Sequence, residues 1–213
     1  MKAAFALVTC LPTMLAAQHA TVGVQAVFGD YREVSSDLHY RGSGGGIAAS
    51  FTFKKLGIEG SVAGINYDPA AGSTATASFK ATQLDVRVRY YITGPVSAEV
   101  GIVNRKAKPE FEAQSVGAVR AGVRMSYPLG PGVNMGLRGG MLFGSKFSGG
   151  GTVSGVGALE LGLNMAVDAL KGRLRLTGDY DFQRIARTTG SGPGKADVPI
   201  QQALARVGLA VAF

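Results

Sequence analysis

From residue 21 onward the chain alternates apolar and polar positions almost without a break. This two-residue period is the signature of strands whose two faces meet different surroundings. Leu84, Val86, Val88, Tyr90 and Ile92 alternate with Asp85, Arg87, Arg89 and Tyr91. Val119, Ala121, Val123, Met125 and Tyr127 oppose Arg120, Gly122, Arg124 and Ser126. Leu159, Leu161, Leu163, Met165 and Val167 oppose Glu160, Gly162 and Asn164. Leu174, Leu176, Tyr180 and Phe182 oppose Arg173, Arg175, Asp179 and Asp181. The pattern predicts ten strands, near 21–31, 44–54, 56–67, 79–92, 96–106, 114–127, 132–145, 152–168, 172–186 and 200–213. Eight remain if 44–54 and 56–67 do not both join the sheet.

The connections alternate as well. Long ones (32–43, 68–78, 107–113, 146–151, 187–199) follow odd strands. Short ones, at Lys54-Lys55, Thr93-Gly94-Pro95, Pro128 to Pro131 and Ala169 to Lys171, follow even strands. Membrane barrels of the bacterial outer membrane combine short periplasmic turns with longer outer loops. On this reading residues 33–42, 68–77 and 188–198 lie outside the cell.

Charge separates the two faces. In the five clearest strands no apolar-face position carries a charge. The opposite faces hold Asp85, Arg87, Arg89, Arg120, Arg124, Glu160, Arg173, Arg175, Asp179, Asp181 and Arg206, with Glu99 and Glu59 added from neighbouring strands. A hydrocarbon band demands this separation, since an Arg on the lipid face costs ~2–4 kcal/mol at mid-depth. Aromatics on the apolar faces fall at strand ends: Phe53, Tyr90, Tyr127 and Phe213 at one level, Phe28, Phe143, Tyr180 and Phe182 at the other. Two such girdles mark the two interfaces of a bilayer.

The first twenty residues read as an address. Met1-Lys2 opens a charge-free apolar run to Ala17, with small residues at Ala16, Ala17 and Ala20. This is the layout of a secretory signal peptide (1–20), leaving a single domain over 21–213. Cys10 lies inside the leader after Thr9, where a lipoprotein cut wants a small residue. No other uncharged apolar run is long enough for a membrane helix. An exported chain of this kind enters a bilayer only as a closed barrel, which satisfies every backbone polar group.

The chain ends Arg206-Val207-Gly208-Leu209-Ala210-Val211-Ala212-Phe213. This resembles the C-terminal signal of outer-membrane β-barrel proteins, in which a polar residue, a glycine and hydrophobic positions lead to a terminal Phe. Arg206, Gly208, Val211 and Phe213 occupy those places, with Val211 where an aromatic is common. The resemblance extends in outline over the mature chain, to small barrels of the porin-like and OmpA-like class. It implies an outer-membrane location in a diderm bacterium and recognition by the barrel-assembly machinery.

Composition narrows the chemistry. Glycine, at 32 of 213 residues, is about twice its usual ~7% share, but lacks the three-residue period of collagen. One Cys and two His exclude a disulfide framework and a Cys-based zinc site, and no cofactor is expected. Gly42-Ser43-Gly44-Gly45-Gly46 lacks the Lys-Ser/Thr end of a phosphate loop. The net charge of +8 would suit nucleic acid, but its arginines sit on inward strand faces out of reach. External Arg32, Arg41, Lys108, Lys146 and Lys195 offer contacts to outer-membrane lipid and anionic lipopolysaccharide instead, a merely solvated loop surface being the commoner case. For enzyme chemistry the chain offers His39, with Asp37, Ser35 and Ser36 nearby, in what reads foremost as a solvated loop. The expectation is a non-enzymatic barrel, all-β and antiparallel, with a structural or surface-interaction role. A narrow channel is the alternative, and an outer-membrane enzyme the third reading.

Overall fold

The computed structural model describes residues 19–108, 115–148, 152–189 and 192–213. The leader through residue 18, Cys10 and parts of three long connections lie outside the described residues. Ten strands follow one another: β1 (His19–Glu33), β2 (Leu38–Phe53), β3 (Leu56–Pro69), β4 (Phe79–Thr93), β5 (Val96–Lys108), β6 (Val116–Gly130), β7 (Val133–Phe147), β8 (Thr152–Ala169), β9 (Leu174–Thr189) and a closing strand (Ile200–Ala212). Each pairs antiparallel with its neighbour in sequence, and the closing strand pairs with β1. Residues 44–54 and 56–67 belong to β2 and β3, so the barrel has ten strands rather than eight.

Closure runs in register from Thr21↔Ala212 to Glu33↔Ile200. Below it, the Phe213 amide donates to the Ala20 carbonyl at 2.9 Å, and the Ala20 amide donates back to Phe213. The terminal aromatic therefore sits on the seam of the ring. β1 begins at His19, within the segment read as leader.

The tight turns form at Lys54-Lys55, Gly94-Pro95 and Pro131-Gly132, with a 3₁₀ turn over Leu170–Gly172. Gly94 (φ +48°) and Gly132 (φ +71°) supply the left-handed backbone that two-residue turns need.

The outer wall is the lipid face the alternation predicts. Val24, Ile47, Val100, Val119, Val123, Leu161 and Val207 are all at least half exposed. All the girdle aromatics except Phe182, which is partly covered, stand exposed on this wall.

Toward the end with the long connections, the polarity of the two faces inverts. Outward positions become Asp30, Arg32, His39, Arg41, Asp68, Lys80, Lys106, Lys108, Lys146 and Arg184. Inward positions become Tyr31, Tyr40, Ile65, Tyr67, Phe79, Leu142, Phe147, Ile185, Ile200 and Leu204, all buried in one cluster. Above the lipid band the outer wall meets water, so the chain packs like a small soluble barrel with its apolar residues inside. This explains the main difference from the sequence-based strands. β2 starts at Leu38 rather than 44, because 38–43 keeps the strand period while reversing its polarity. The first long connection shrinks to residues 34–37.

Candidate functional site

The lumen is filled in layers. The outermost is aromatic. Tyr67 stacks on Phe79 with ring centroids 4.8 Å apart, Tyr40 meets Phe79 edge-on at 5.0 Å, and Tyr31 packs against all three. The guanidinium of Arg105 lies 4.6 Å from the Tyr31 ring centre and donates to the Gln202 side chain at 2.6 Å. Gln202 in turn donates to Gln83 at 3.1 Å. β5 and the closing strand are five places apart in a ring of ten, so the Arg105–Gln202 bond spans the bore.

The next layer is ionic. Asp181 accepts from Arg138 Nε at 2.8 Å, Arg206 Nη1 at 2.5 Å and Arg87 Nη2 at 3.2 Å. Asp85 lies 3.0 Å from Arg120 and 3.2 Å from Arg87, and Glu160 lies 3.0 Å from Arg120 and 3.3 Å from Arg87. Arg138 also faces Asp179 at 3.7 Å. Four arginines thus meet four acids, and all but Asp179 are nearly inaccessible. Buried charges persist only when paired in this way.

A third layer lies nearer the tight turns. Arg124 grips both oxygens of Glu59 at 2.9 and 3.0 Å, reaches Glu99 at 2.6 Å, and shares Glu59 with Arg89 at 3.0 Å. Below it a cavity of about 420 Å³ remains, lined by Ser50, Ser61, Asn164 and Thr177 together with apolar residues such as Met135 and Met165. Arg175 stands at this level, bound to Asp168 at 2.6 and 3.0 Å.

Twelve of the thirteen lumen charges expected from the sequence, Glu59 included, therefore face inward. Arg173 does not. It is exposed in the turn before β9, with helical backbone (φ −76°, ψ −24°), because the strand starts one residue later. Arg138 is one of three buried arginines that the alternation missed, with Arg105 and Arg187 in the layer nearer the long connections. Its neighbours Gly136, Gly139 and Gly140 blur the apolar face of β7, although exposed Leu137 beside it carries the signal. Arg138, Gly162 and Asp181 lie in one cross-strand row. A side chain at Gly162 would collide with the Arg138 guanidinium, so the glycine makes the passage to Asp181 possible.

On the outer wall, His39 pairs with Asp30 at 2.9 Å rather than with Asp37, which faces Arg32 at 3.9 Å. A histidine and an acid therefore do converge, as an enzyme would need. The nearby hydroxyls are engaged elsewhere: Ser35 donates to the Asp197 carbonyl, Ser36 to Glu33, and Ser73 accepts from the His39 backbone amide. Among the described residues no cluster of His, Cys, Asp and Glu has the form of a metal site.

No family model matches the chain, and no curated protein matches it. Solved structures of similar architecture do exist. The outer membrane protease OmpT of Escherichia coli superposes with a TM-score of 0.52 at 8% identity, covering 92% of this chain and 97% of that one. Neisserial surface protein A (13% identity, TM-score 0.42, covering 91% and 97%) and the attachment invasion locus protein Ail of Yersinia pestis (10%, 0.42, covering 92% and 98%) are more distant in shape. At these identities the likeness concerns the fold. What it shows is the architecture, a closed antiparallel β-barrel of ten strands like that of outer-membrane proteins. Barrels of this architecture serve as surface proteins, proteases and channels alike.

Proposed function

We propose that this barrel is a closed scaffold that holds its long connections outside the cell, where they carry a structural or surface-interaction role. The observation that supports it most is the pair of bonds across the bore, Arg87–Asp181 at 3.2 Å and Arg105–Gln202 at 2.6 Å. A hydrated ion would have to break a buried ionic layer and part an aromatic one to pass. Removing one partner of such a pair costs about 3–5 kcal/mol, since the other charge is stranded.

The second reading, a narrow channel, draws on the charge-lined cavity near the tight turns. Conductance separates the two. Purified protein in planar bilayers should give no stable single-channel steps under the closed reading. Large, long-lived currents from the unmutated chain would overturn it and promote the channel.

A further inference from the structure

The first residues of β1 bear on where the leader ends. A signal peptidase reads the residue before the bond it cuts and the one two places earlier, and wants both small. Ala16, Ala17 and Ala20 all offer a small residue before the bond. The earlier place is then held by Met14, Leu15 or Gln18 respectively, so no candidate fits at both. Sequence alone leaves the bond open.

The barrel does not treat the three bonds alike. β1 is already running at His19, which stands opposite Thr52 of β2. Ala20 stands opposite Phe51 on one side and exchanges two backbone hydrogen bonds with Phe213 on the other, at 2.9 and 3.4 Å. It is 1% exposed. Thr21 is buried too, with its hydroxyl 2.7 Å from that of Ser50. A chain beginning at Thr21 would leave the terminal Phe213 with no residue opposite it. It would also set a new ammonium inside the wall of the ring, where a charge is costly.

We propose that signal peptidase cuts the bond between Ala17 and Gln18, so that His19 and Ala20 stay as the first rungs of the mature barrel. This bond releases the whole apolar run, which ends at Ala17, and takes nothing from β1. The step is a hydrolysis. Water adds across the peptide bond, leaving a carboxylate on Ala17 of the released leader and an ammonium on Gln18 of the barrel. The site lies upstream of the pair that closes the ring, so maturation and closure do not compete for the same residues. The inference concerns how the chain is processed and holds whether the mature barrel is a closed scaffold or a channel.

The test expresses the full chain with its own leader in a diderm host and reads the N-terminal peptide of the membrane-fractionated protein by mass spectrometry. Gln18 should be the first residue, as free or cyclised glutamine. A first residue of Ala17 or Thr21 overturns the assignment, and so does a chain that keeps Met1. Two variants separate the candidate bonds, since a branched residue before the bond hinders the peptidase. A17V should no longer yield the Gln18 end, whereas A20V should yield it as the unmutated chain does. Loss of processing in A20V with normal processing in A17V overturns the proposal. Both readouts concern cleavage, so they stand even where a variant assembles poorly. The structural reason has its own measurement. Chains starting at Gln18 and at Thr21 are refolded in detergent, and the shorter one should lose its heat-modifiable form several degrees lower. Equal melting would remove the reason for keeping His19 and Ala20, and the inference with it.

Discussion

Arg87 on β4 and Asp181 on β9 belong to strands on opposite sides of the barrel, yet their side chains meet at 3.2 Å. The contact sets the width of the lumen at its middle to the reach of one arginine and one aspartate. It also makes Asp181 the hub of the ionic layer, since Arg138 and Arg206 converge on the same carboxylate.

That hub predicts an asymmetry between two acids of one strand face. Asp181 is 1% exposed and touches three arginines, whereas Asp179 is 30% exposed and has Arg138 at 3.7 Å. Asp181→Ala should destabilise the barrel by about 3–5 kcal/mol, the penalty for stranding buried cations. Asp179→Ala should cost clearly less, because Arg138 keeps Asp181 as its close partner when Asp179 is removed. Denaturant unfolding in detergent, with exposed Asp197→Ala as the control, measures both. Equal losses would show that the layer has no hub.

Gly162 offers a second handle on the same layer. Gly162→Ala places a methyl group against the Arg138 guanidinium and forces it off Asp181. The variant should lose about as much stability as Asp181→Ala, and adding the second change to the first should cost little more, because both break one network. Additive losses would mean that Arg138 keeps its grip despite the methyl.

Barrel closure depends on the chain terminus. Phe213 holds the seam through its backbone pair with Ala20 and stands 68% exposed in the lower aromatic girdle. Deleting it should leave the protein poorly assembled into outer-membrane fractions. Normal yields of heat-modifiable protein from the deletion would remove Phe213 from the assembly signal.

Orientation is open to chemical labelling. Cysteine at Ala71 or Lys195, both exposed on long connections, should react with a membrane-impermeant reagent on intact cells. Cysteine at Leu129, exposed beside a tight turn, should react only after the outer membrane is breached. The opposite pattern would invert the barrel.

What the chain determined alone is local and periodic. The alternation of Leu84 to Ile92 and its counterparts specifies which face meets lipid, since one misplaced charge there is costly in hydrocarbon. The order of tight and long connections follows from the same rhythm, while the choice of ten strands over eight waited for β2 and β3 to pair in the sheet. Most of the lumen charges are legible one by one for that reason; Arg173, at a strand end, and Arg138, among glycines, are not.

Their partners are not. Arg87 meets Asp181, and Arg105 meets Gln202, only because closure brings strands far apart in sequence face to face. Period alone says that a residue points inward; curvature and register decide what it meets there. The polarity inversion belongs to the tertiary structure too. Tyr31, Tyr40, Tyr67 and Phe79 keep the phase of the lumen charges, and their burial makes sense once the lipid is known to end below them. The neighbourhood of β9, the closing strand, β1 and β2, which joins the two ends of the chain, likewise exists only once the barrel closes.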